Sequence, residues 1–221
     1  MSRNLAIVGY GKMGRMVHSL APEFGFEVVA TVDETPKSLP PCDAVIEFST
    51  PETAIENIRR FSELKVNAVI GTTGWYSKLP EARTWVESAG TGLVYGANFS
   101  VGVALFSRLV EEAARLFQNE GDYEAWAWEM HHSAKKDAPS GTLLKLVRDM
   151  REAGYDRAID ESSSRAGKVP GTHEIGFDSA ADTITLRHTA RSREGFARGA
   201  LRAAQWVVGR KGCFEFKEIL K

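Results

Sequence analysis

Gly9-Tyr10-Gly11-Lys12-Met13-Gly14 follows directly on the apolar run at residues 5–8 and opens a stretch of helical pattern. This order of strand, glycine turn and helix restricts the possible folds more than any other feature of the chain. The first glycine permits a tight turn, the second lets backbone approach a pyrophosphate, and the third lets helix and strand pack closely. The helix N-terminus then offers unpaired N–H groups and the positive end of its dipole to the phosphates. Asp33, nineteen positions after Gly14, closes the second apolar run, where a carboxylate can accept bonds from ribose hydroxyls. Asp33 also suits a simple turn before Glu34-Thr35-Pro36, so the dinucleotide reading rests on the combination.

The first half of the chain alternates strands and helices. Residues 5–8, 27–33, 43–48, 66–72 and 93–97 are runs rich in Val and Ile, as expected of strands covered on both faces. Between them, residues 13–21, 51–64 and 80–89 read as helices, the second with Ser49 or Thr50 as cap and Pro51 at its first position. Such alternation implies a parallel sheet with right-handed crossovers. After Asn98 the rhythm changes. A long helix is expected at 101–117, with Leu105, Leu109, Ala113 and Leu116 near helical spacing. A Trp-rich strand follows at 124–131, then a helix at 143–151 and a mobile Ser/Gly/Lys-rich loop at 160–172. Antiparallel strands are expected at 172–177 and 183–189, and an amphipathic helix at 197–208, ended by Gly209.

The fold class is therefore α/β: a Rossmann-type doubly wound parallel sheet plus a smaller α+β domain with a mixed, mostly antiparallel sheet. Residues 1–99 and 197–221 are expected to form the dinucleotide-binding domain, the last helix covering the parallel sheet. Residues 100–196 would form a substrate-binding and oligomerisation domain. With 221 residues, 43% hydrophobic, the chain can bury a core without staples. A net charge of -1 argues against nucleic acid as a partner. Two cysteines in unlike contexts, Cys42 and Cys213, and no apolar stretch of bilayer length lead us to expect a cytoplasmic protein with no membrane partner.

The segment richest in chemistry is Glu129-Met130-His131-His132-Ser133-Ala134-Lys135-Lys136-Asp137-Ala138-Pro139-Ser140-Gly141-Thr142, which leaves a strand and enters a helix. Ser140-Gly141-Thr142 places hydroxyls and backbone N–H groups at a helix N-terminus, where an anion binds readily; Ser140 is equally suited to a plain N-cap. Lys135 adds a positive charge, and His131 or His132 can move a proton near neutral pH. Together they describe a pocket for a carboxylate that is protonated during reaction. Adjacent histidines on a strand point to opposite faces, and no cysteine or carboxylate at zinc-like spacing joins them, so no metal is expected.

The block from His131 to Thr142 resembles the HHxxKxDAPSGT signature of the 4-hydroxy-tetrahydrodipicolinate (dihydrodipicolinate) reductase family of lysine biosynthesis. Further pieces resemble the family in the same order: Glu47-Phe48-Ser49, Gly71-Thr72-Thr73-Gly74, Asn98-Phe99-Ser100-Val101-Gly102-Val103, Val169-Pro170-Gly171-Thr172, and Ser192-Arg193 with Phe196. The resemblance implies NAD(P)H-dependent reduction of the cyclic imine dicarboxylate to tetrahydrodipicolinate. It implies that Gly9, Tyr10, Gly11, Lys12, Met13 and Gly14 hold the pyrophosphate and Asp33 the adenosine ribose. Phe48, Gly71, Thr72, Thr73, Gly96, Ala97, Asn98 and Phe99 would line the nicotinamide half. His131 would be the proton donor assisted by Lys135, and His132, Lys135, Ser140, Gly141 and Thr142 would hold the dicarboxylate.

The chain is short for the family between Gly171 and Arg191, where members carry an extra strand and loop that help build tetramers. The expected homo-oligomer is thus a tetramer by family, or a dimer given the shortened sheet. The family's NADPH-preferring members often place an arginine after the ribose-binding acid; here Glu34 follows Asp33, and the nearest cations are Lys12 and Lys37. NADH is accordingly expected to serve at least as well as NADPH. Two other readings stand beside this one. An aspartate or diaminopimelate dehydrogenase would share the glycine turn but lack the 131–142 block, and a silent nucleotide sensor need not keep His131 and Lys135.

Overall fold

The Val- and Ile-rich runs of the first hundred residues become strands, four of them largely buried and the edge strand Phe26–Val32 only partly covered, against the expectation of cover on both faces. In the computed structural model, which describes residues 2–220, they are β1 (Arg3–Val8), β2 (Phe26–Val32), β3 (Ala44–Glu47), β4 (Asn67–Ile70) and β5 (Gly92–Tyr95). A further strand, β10 (Gly212–Glu215), joins them in a six-stranded sheet of order β10-β5-β4-β3-β1-β2, every neighbouring pair parallel. The connecting helices are α1 (Lys12–Leu20), α2 (Pro51–Glu63) and α3 (Leu79–Ala89). Thr50 takes the N-cap of α2 and Pro51 its first position, where the missing proline N–H costs nothing. The chain runs from β1 outward to β2 and then returns to β3 on the other side of β1. That reversal creates a crevice at the carboxyl ends of β1 and β3, the usual ligand position in such sheets.

The second unit is built on α4 (Val101–Phe117), β6 (Glu124–His131), α5 (Gly141–Glu152), β7 (Ile159–Arg165), β8 (Thr172–Asp178) and β9 (Thr183–Thr189). Its sheet has the order β7-β6-β8-β9; β7 runs parallel to β6, and the other two pairings are antiparallel. Ala125, Ala127, Glu129 and His131 of β6 point into the buried face, while Trp126 and Trp128 lie half-buried on the other. The core joins Phe106, Val110 and Ala114 of α4 to Leu143, Leu146 and Met150 of α5 and Ile175 and Phe177 of β8. The last helix, α6 (Glu194–Val207), packs on β3, β4 and β5. By compactness the chain divides into Met1–Val101 with Glu194–Lys221, and Gly102–Arg193.

The structure departs from the sequence reading in one place and adds to it in two. Part of the segment 160–172, read as a mobile loop, is strand β7. Its Ile-Asp-Glu-Ser-Ser-Ser-Arg sequence has no apolar alternation, because this edge strand buries little and is held by its ladder to β6. Strand β10 was not foreseen; four residues are too few to show a period. On α4 the stripe of Leu105, Leu109 and Leu116 is the exposed one, at 46%, 60% and 65%. The buried face instead carries Val103, Phe106, Ser107, Val110 and Ala114. The helix is apolar on two sides, and the sheet selects between them.

Helix α6 comes so near the segment after β5 that a β-carbon at Gly199 would lie 1.7 Å from the Phe99 carbonyl oxygen. Gly199→Ala is therefore expected to lower unfolding free energy by about 1–3 kcal/mol, the usual cost of overpacking. Urea denaturation measures it; wild-type stability in the variant would show that this approach is not tight.

Candidate functional site

In the first unit the glycine turn is closed by backbone contact. Gly9 has φ +88°, and a β-carbon there would lie 2.0 Å from the carbonyl oxygen of Phe48. One on Gly14 would lie 2.2 Å from the Gly9 carbonyl oxygen, so larger residues at either position would push β1, β3 and α1 apart. Gly11 is the N-cap of α1, with no side-chain cap and no acidic residue in the first turn. The first N–H groups of this helix thus lack a competing internal acceptor from a cap, as an anion site requires. Gly11, Lys12, Met13, Phe48, Gly71, Thr72 and Thr73 line one cleft of about 440 Å³, together with Ser49 and Pro51.

Asp33 accepts the Tyr10 backbone N–H at 2.6 Å, which ties the end of β2 to the glycine turn. The Tyr10 hydroxyl bonds His18 Nδ1 at 2.7 Å, and the Arg15 guanidinium lies 5.9 Å from the centre of the Tyr10 ring. Arg15 is thus a cation beside the glycine turn, besides Lys12 and Lys37. Arg60 is another on this side: its guanidinium donates to the carbonyls of Pro36 and Lys37. Phe99 is buried, 4.8 Å from the Phe216 ring and 6.4 Å edge-on from Phe48. Gly96 is buried, Asn98 half-buried and Ala97 exposed.

Glu47, one residue of the Glu47-Phe48-Ser49 piece, has no local pattern that marks its role. It is fully buried, and its Oε1 accepts bonds from the Ser49 N–H at 2.9 Å, the Thr72 hydroxyl at 3.0 Å and the Ser49 hydroxyl. Burial pushes its carboxyl pKa up, and the bonds from Ser49, Thr72 and Asn57 oppose that shift. Two residues of the cleft wall, Ser49 and Thr72, are fastened through this one side chain.

In the second unit the 131–142 block wraps the end of β6. His131 is 8% exposed, and its Nδ1 pairs with Glu129 Oε2. Its Nε2 faces Gly171, where a β-carbon would approach to 2.8 Å. Glu129 is wholly buried and is gripped by Arg165, whose Nη1 donates to Oε2 at 3.0 Å and Nη2 to Oε1 at 2.8 Å. Burial pushes the Glu129 carboxyl up, but bonds from Arg165, His131 and Ser163 outweigh it and hold the pKa at about 2. His132 is half-buried. Lys135 pairs with Asp137 at 2.7 Å and 2.8 Å.

Ser140 is buried; its hydroxyl accepts the Leu143 N–H at 3.2 Å and lies 3.1 Å from His173 Nε2. The capping alternative for Ser140 is therefore the bond pattern found. Gly141 is exposed, with open space where a β-carbon would stand, and Thr142 is half-buried on the first turn of α5.

His173, which the sequence did not single out, faces Glu129 across the β6–β8 pair with its ring 5.2 Å from that of His131. Desolvation, followed by the His131 charge, lowers its pKa to about 4, with His188 and Lys135 acting in the same direction and Glu129 against. A neutral histidine kept inside costs stability as pH falls, because only the unfolded chain takes up the proton. From pH 6.5 down to about 4 the wild type should therefore lose as much as about 3 kcal/mol through this group. His173→Gln should flatten that part of the profile in urea denaturation; an unchanged slope would show that His173 is protonated in the folded state.

Residues 3–99 match the family model described as dihydrodipicolinate reductase, N-terminus, and residues 102–220 that described as dihydrodipicolinate reductase, C-terminus. A 4-hydroxy-tetrahydrodipicolinate reductase of Christiangramia forsetii is 32% identical over 232 residues, covering 98% of this chain and 97% of the relative. One from Neisseria meningitidis serogroup B is 35% identical over 211 residues, covering 87% of this chain and 77% of the relative. The chain is thus short beside the second and of matching extent beside the first. Dipicolinate-bound dihydrodipicolinate reductase from Paenisporosarcina sp. TG-14 shares the fold with a TM-score of 0.83 over all of both chains, at 24% identity. Aspartate dehydrogenase from Thermotoga maritima shares it more loosely, with a TM-score of 0.53 at 11% identity over 95% of this chain and 98% of that one. Two family models that together take in nearly every residue, and a relative matched almost end to end, decide the matter: the chain belongs to the dihydrodipicolinate reductase family.

Proposed function

We propose that this chain reduces 4-hydroxy-tetrahydrodipicolinate to tetrahydrodipicolinate, the reduction step of lysine and diaminopimelate biosynthesis, using NADH or NADPH. The observation that carries the reading is the His131–Thr142 block. There a buried histidine with Nε2 turned outward from its carboxylate partner, a lysine and the N-terminus of α5 occupy one turn of chain. Residues 1–101 with 194–221 serve as the dinucleotide-binding domain and residues 102–193 as the substrate-binding and oligomerisation domain.

Bound reduced nicotinamide would supply the hydride. The glycine turn fits its pyrophosphate: β-carbons are excluded at Gly9 and Gly14, and α1 begins without a side-chain cap. Asp33 takes the adenosine ribose, while Phe48, Gly71–Thr73 and Gly96–Phe99 line the nicotinamide half. His131 delivers a proton to the ring carbon, with Lys135 assisting. His132, Lys135, Ser140, Gly141 and Thr142 hold the two carboxylates, and the Ser140 hydroxyl also caps the helix that presents them. Among the described residues no helix is long and apolar enough to cross a membrane. The exposed Leu105, Leu109 and Leu116 of α4 favour a homo-oligomer, a tetramer or a dimer.

Turnover is read by NAD(P)H oxidation coupled to a synthase that makes the labile substrate. His131→Gln should lower kcat by about 10²–10⁴-fold, the span of general acid catalysis, with nucleotide affinity little changed. Near-full activity in that variant would remove His131 as the donor. For the cofactor, Asp33 and Glu34 put two negative charges where a 2′-phosphate would lie, and neither Lys12 nor Lys37 has the arginine fork. NADH should bind at least as well as NADPH, and Glu34→Arg should shift preference toward NADPH. Dissociation constants at fixed ionic strength test this. NADPH bound about a hundredfold tighter, ~2.7 kcal/mol, would mean that Arg15 or Arg60 reaches the phosphate.

A further inference from the structure

The reading of His131 as proton donor leaves open which ring nitrogen acts and what holds the ring. Glu129 and His131 stand two apart on β6, so both side chains leave the same face of the strand. Arg165 stands opposite His131 in the parallel register of β6 with β7. The guanidinium grips both oxygens of Glu129, and Oε2 also meets His131 Nδ1. Arg165 Nη2 donates further to the Asp137 carbonyl, and Glu129 Oε1 accepts the Ser140 N–H at 3.2 Å. The same pair therefore holds the ring, the loop after β6 and the start of α5.

We propose that Glu129 and Arg165 are a positioning pair: they commit the His131 Nδ1–H to the carboxylate and leave Nε2, beside Gly171, as the nitrogen that gives up the proton. This rests on His131 being the donor. Arg165 has a distinct part. By pairing with Glu129 it keeps the shared proton on the imidazole, since a carboxylate held by a guanidinium fork is a poor proton acceptor. In the step itself the Nε2–H bond breaks and a C–H bond forms at the ring carbon. Nδ1–H stays with Glu129, His131 becomes neutral with its lone pair on Nε2, and solvent reprotonates it. A bare structural ion pair would need neither the shared Oε2 nor a histidine on the same face.

The test compares wild type with Glu129→Gln, Glu129→Asp, Arg165→Lys and His131→Gln in the coupled assay. Nucleotide affinity is the control, because it belongs to the other unit. Glu129→Gln should lower kcat by about 10- to 100-fold, with KM and nucleotide affinity changed much less. Losing the negative charge disfavours the imidazolium, so the alkaline limb of the kcat profile should move to lower pH. The other charged or titratable groups of this cluster are Arg165 on β7, His173 on β8 with His188 of β9 acting on it, and Lys135 and Asp137 in the loop; all are retained in Glu129→Gln. Glu129→Asp, which keeps the carboxylate, should recover part of kcat, and Arg165→Lys, which loses the fork, should lower it.

Wild-type kcat and an unmoved limb in Glu129→Gln, alongside an inactive His131→Gln, would overturn the positioning role and leave the donor standing. An active His131→Gln would overturn both. Nitrogen NMR of the wild type decides the matter even if Glu129→Gln does not fold. Neutral His131 with its proton on Nδ1 supports the pair, and a proton on Nε2 overturns it.

Discussion

A carboxylate with no exposed surface organises the second unit. Taking the charge of Glu129 out of water costs several kcal/mol unless partners replace the lost hydration. The fold supplies them from three elements: Arg165 and Ser163 on β7, His131 on its own strand, and the Ser140 N–H at the start of α5. Each of these ties sets something else. Arg165 draws a serine-rich edge strand into parallel pairing beside β6 and reaches the Asp137 carbonyl. The Ser140 contact fixes where α5 begins. His131 is left with one nitrogen engaged and the other facing a glycine.

The first unit depends on a constraint of the opposite kind, the exclusion of atoms. At the reversal between β1 and β3 the backbones of Gly9, Gly14 and Phe48 come so close that no β-carbon fits. The same crevice leaves the N-terminus of α1 without a side-chain cap, the kind of place where backbone N–H groups can receive an anion. The two helix starts also contrast. Helix α1 has a glycine cap and no side-chain acceptor, while α5 is capped by a serine whose hydroxyl is already engaged by Leu143 and His173. An open cap suits an external anion; a satisfied one holds Gly141 and Thr142 in place.

Much of the candidate site's local geometry could be read in the residues because its contacts lie close in sequence. A glycine turn between a strand and a helix, or hydroxyls before a helical run, act within a few residues of one another. Glu129 heads the block that contains His131. The clue was available, since a residue two before His131 on an alternating strand shares its face. Arg165 and His173 carried no such clue. They reach the site only through the pairing of β6 with β7 and β8, across 34 and 42 positions of sequence (165 − 131 and 173 − 131). Sequence spacing holds no information about which strands will lie side by side.

The same distinction separates what the chain determines alone from what its folding decides. Covalent order and side-chain chemistry were sufficient for the parallel sheet, the span of α4, the turn at Gly9–Gly14 and the family signature, because apolar periodicity and glycine placement are local properties. Tertiary structure decided which of two apolar faces of α4 is buried, since both have helical spacing and only the sheet distinguishes them. It also made a strand of Ile159–Arg165, whose polar side chains contribute little and whose ladder to β6 contributes most. And it converted Glu129 from a strand residue into the partner of His131, because a buried charge acquires its meaning from whatever the fold brings to neutralise it.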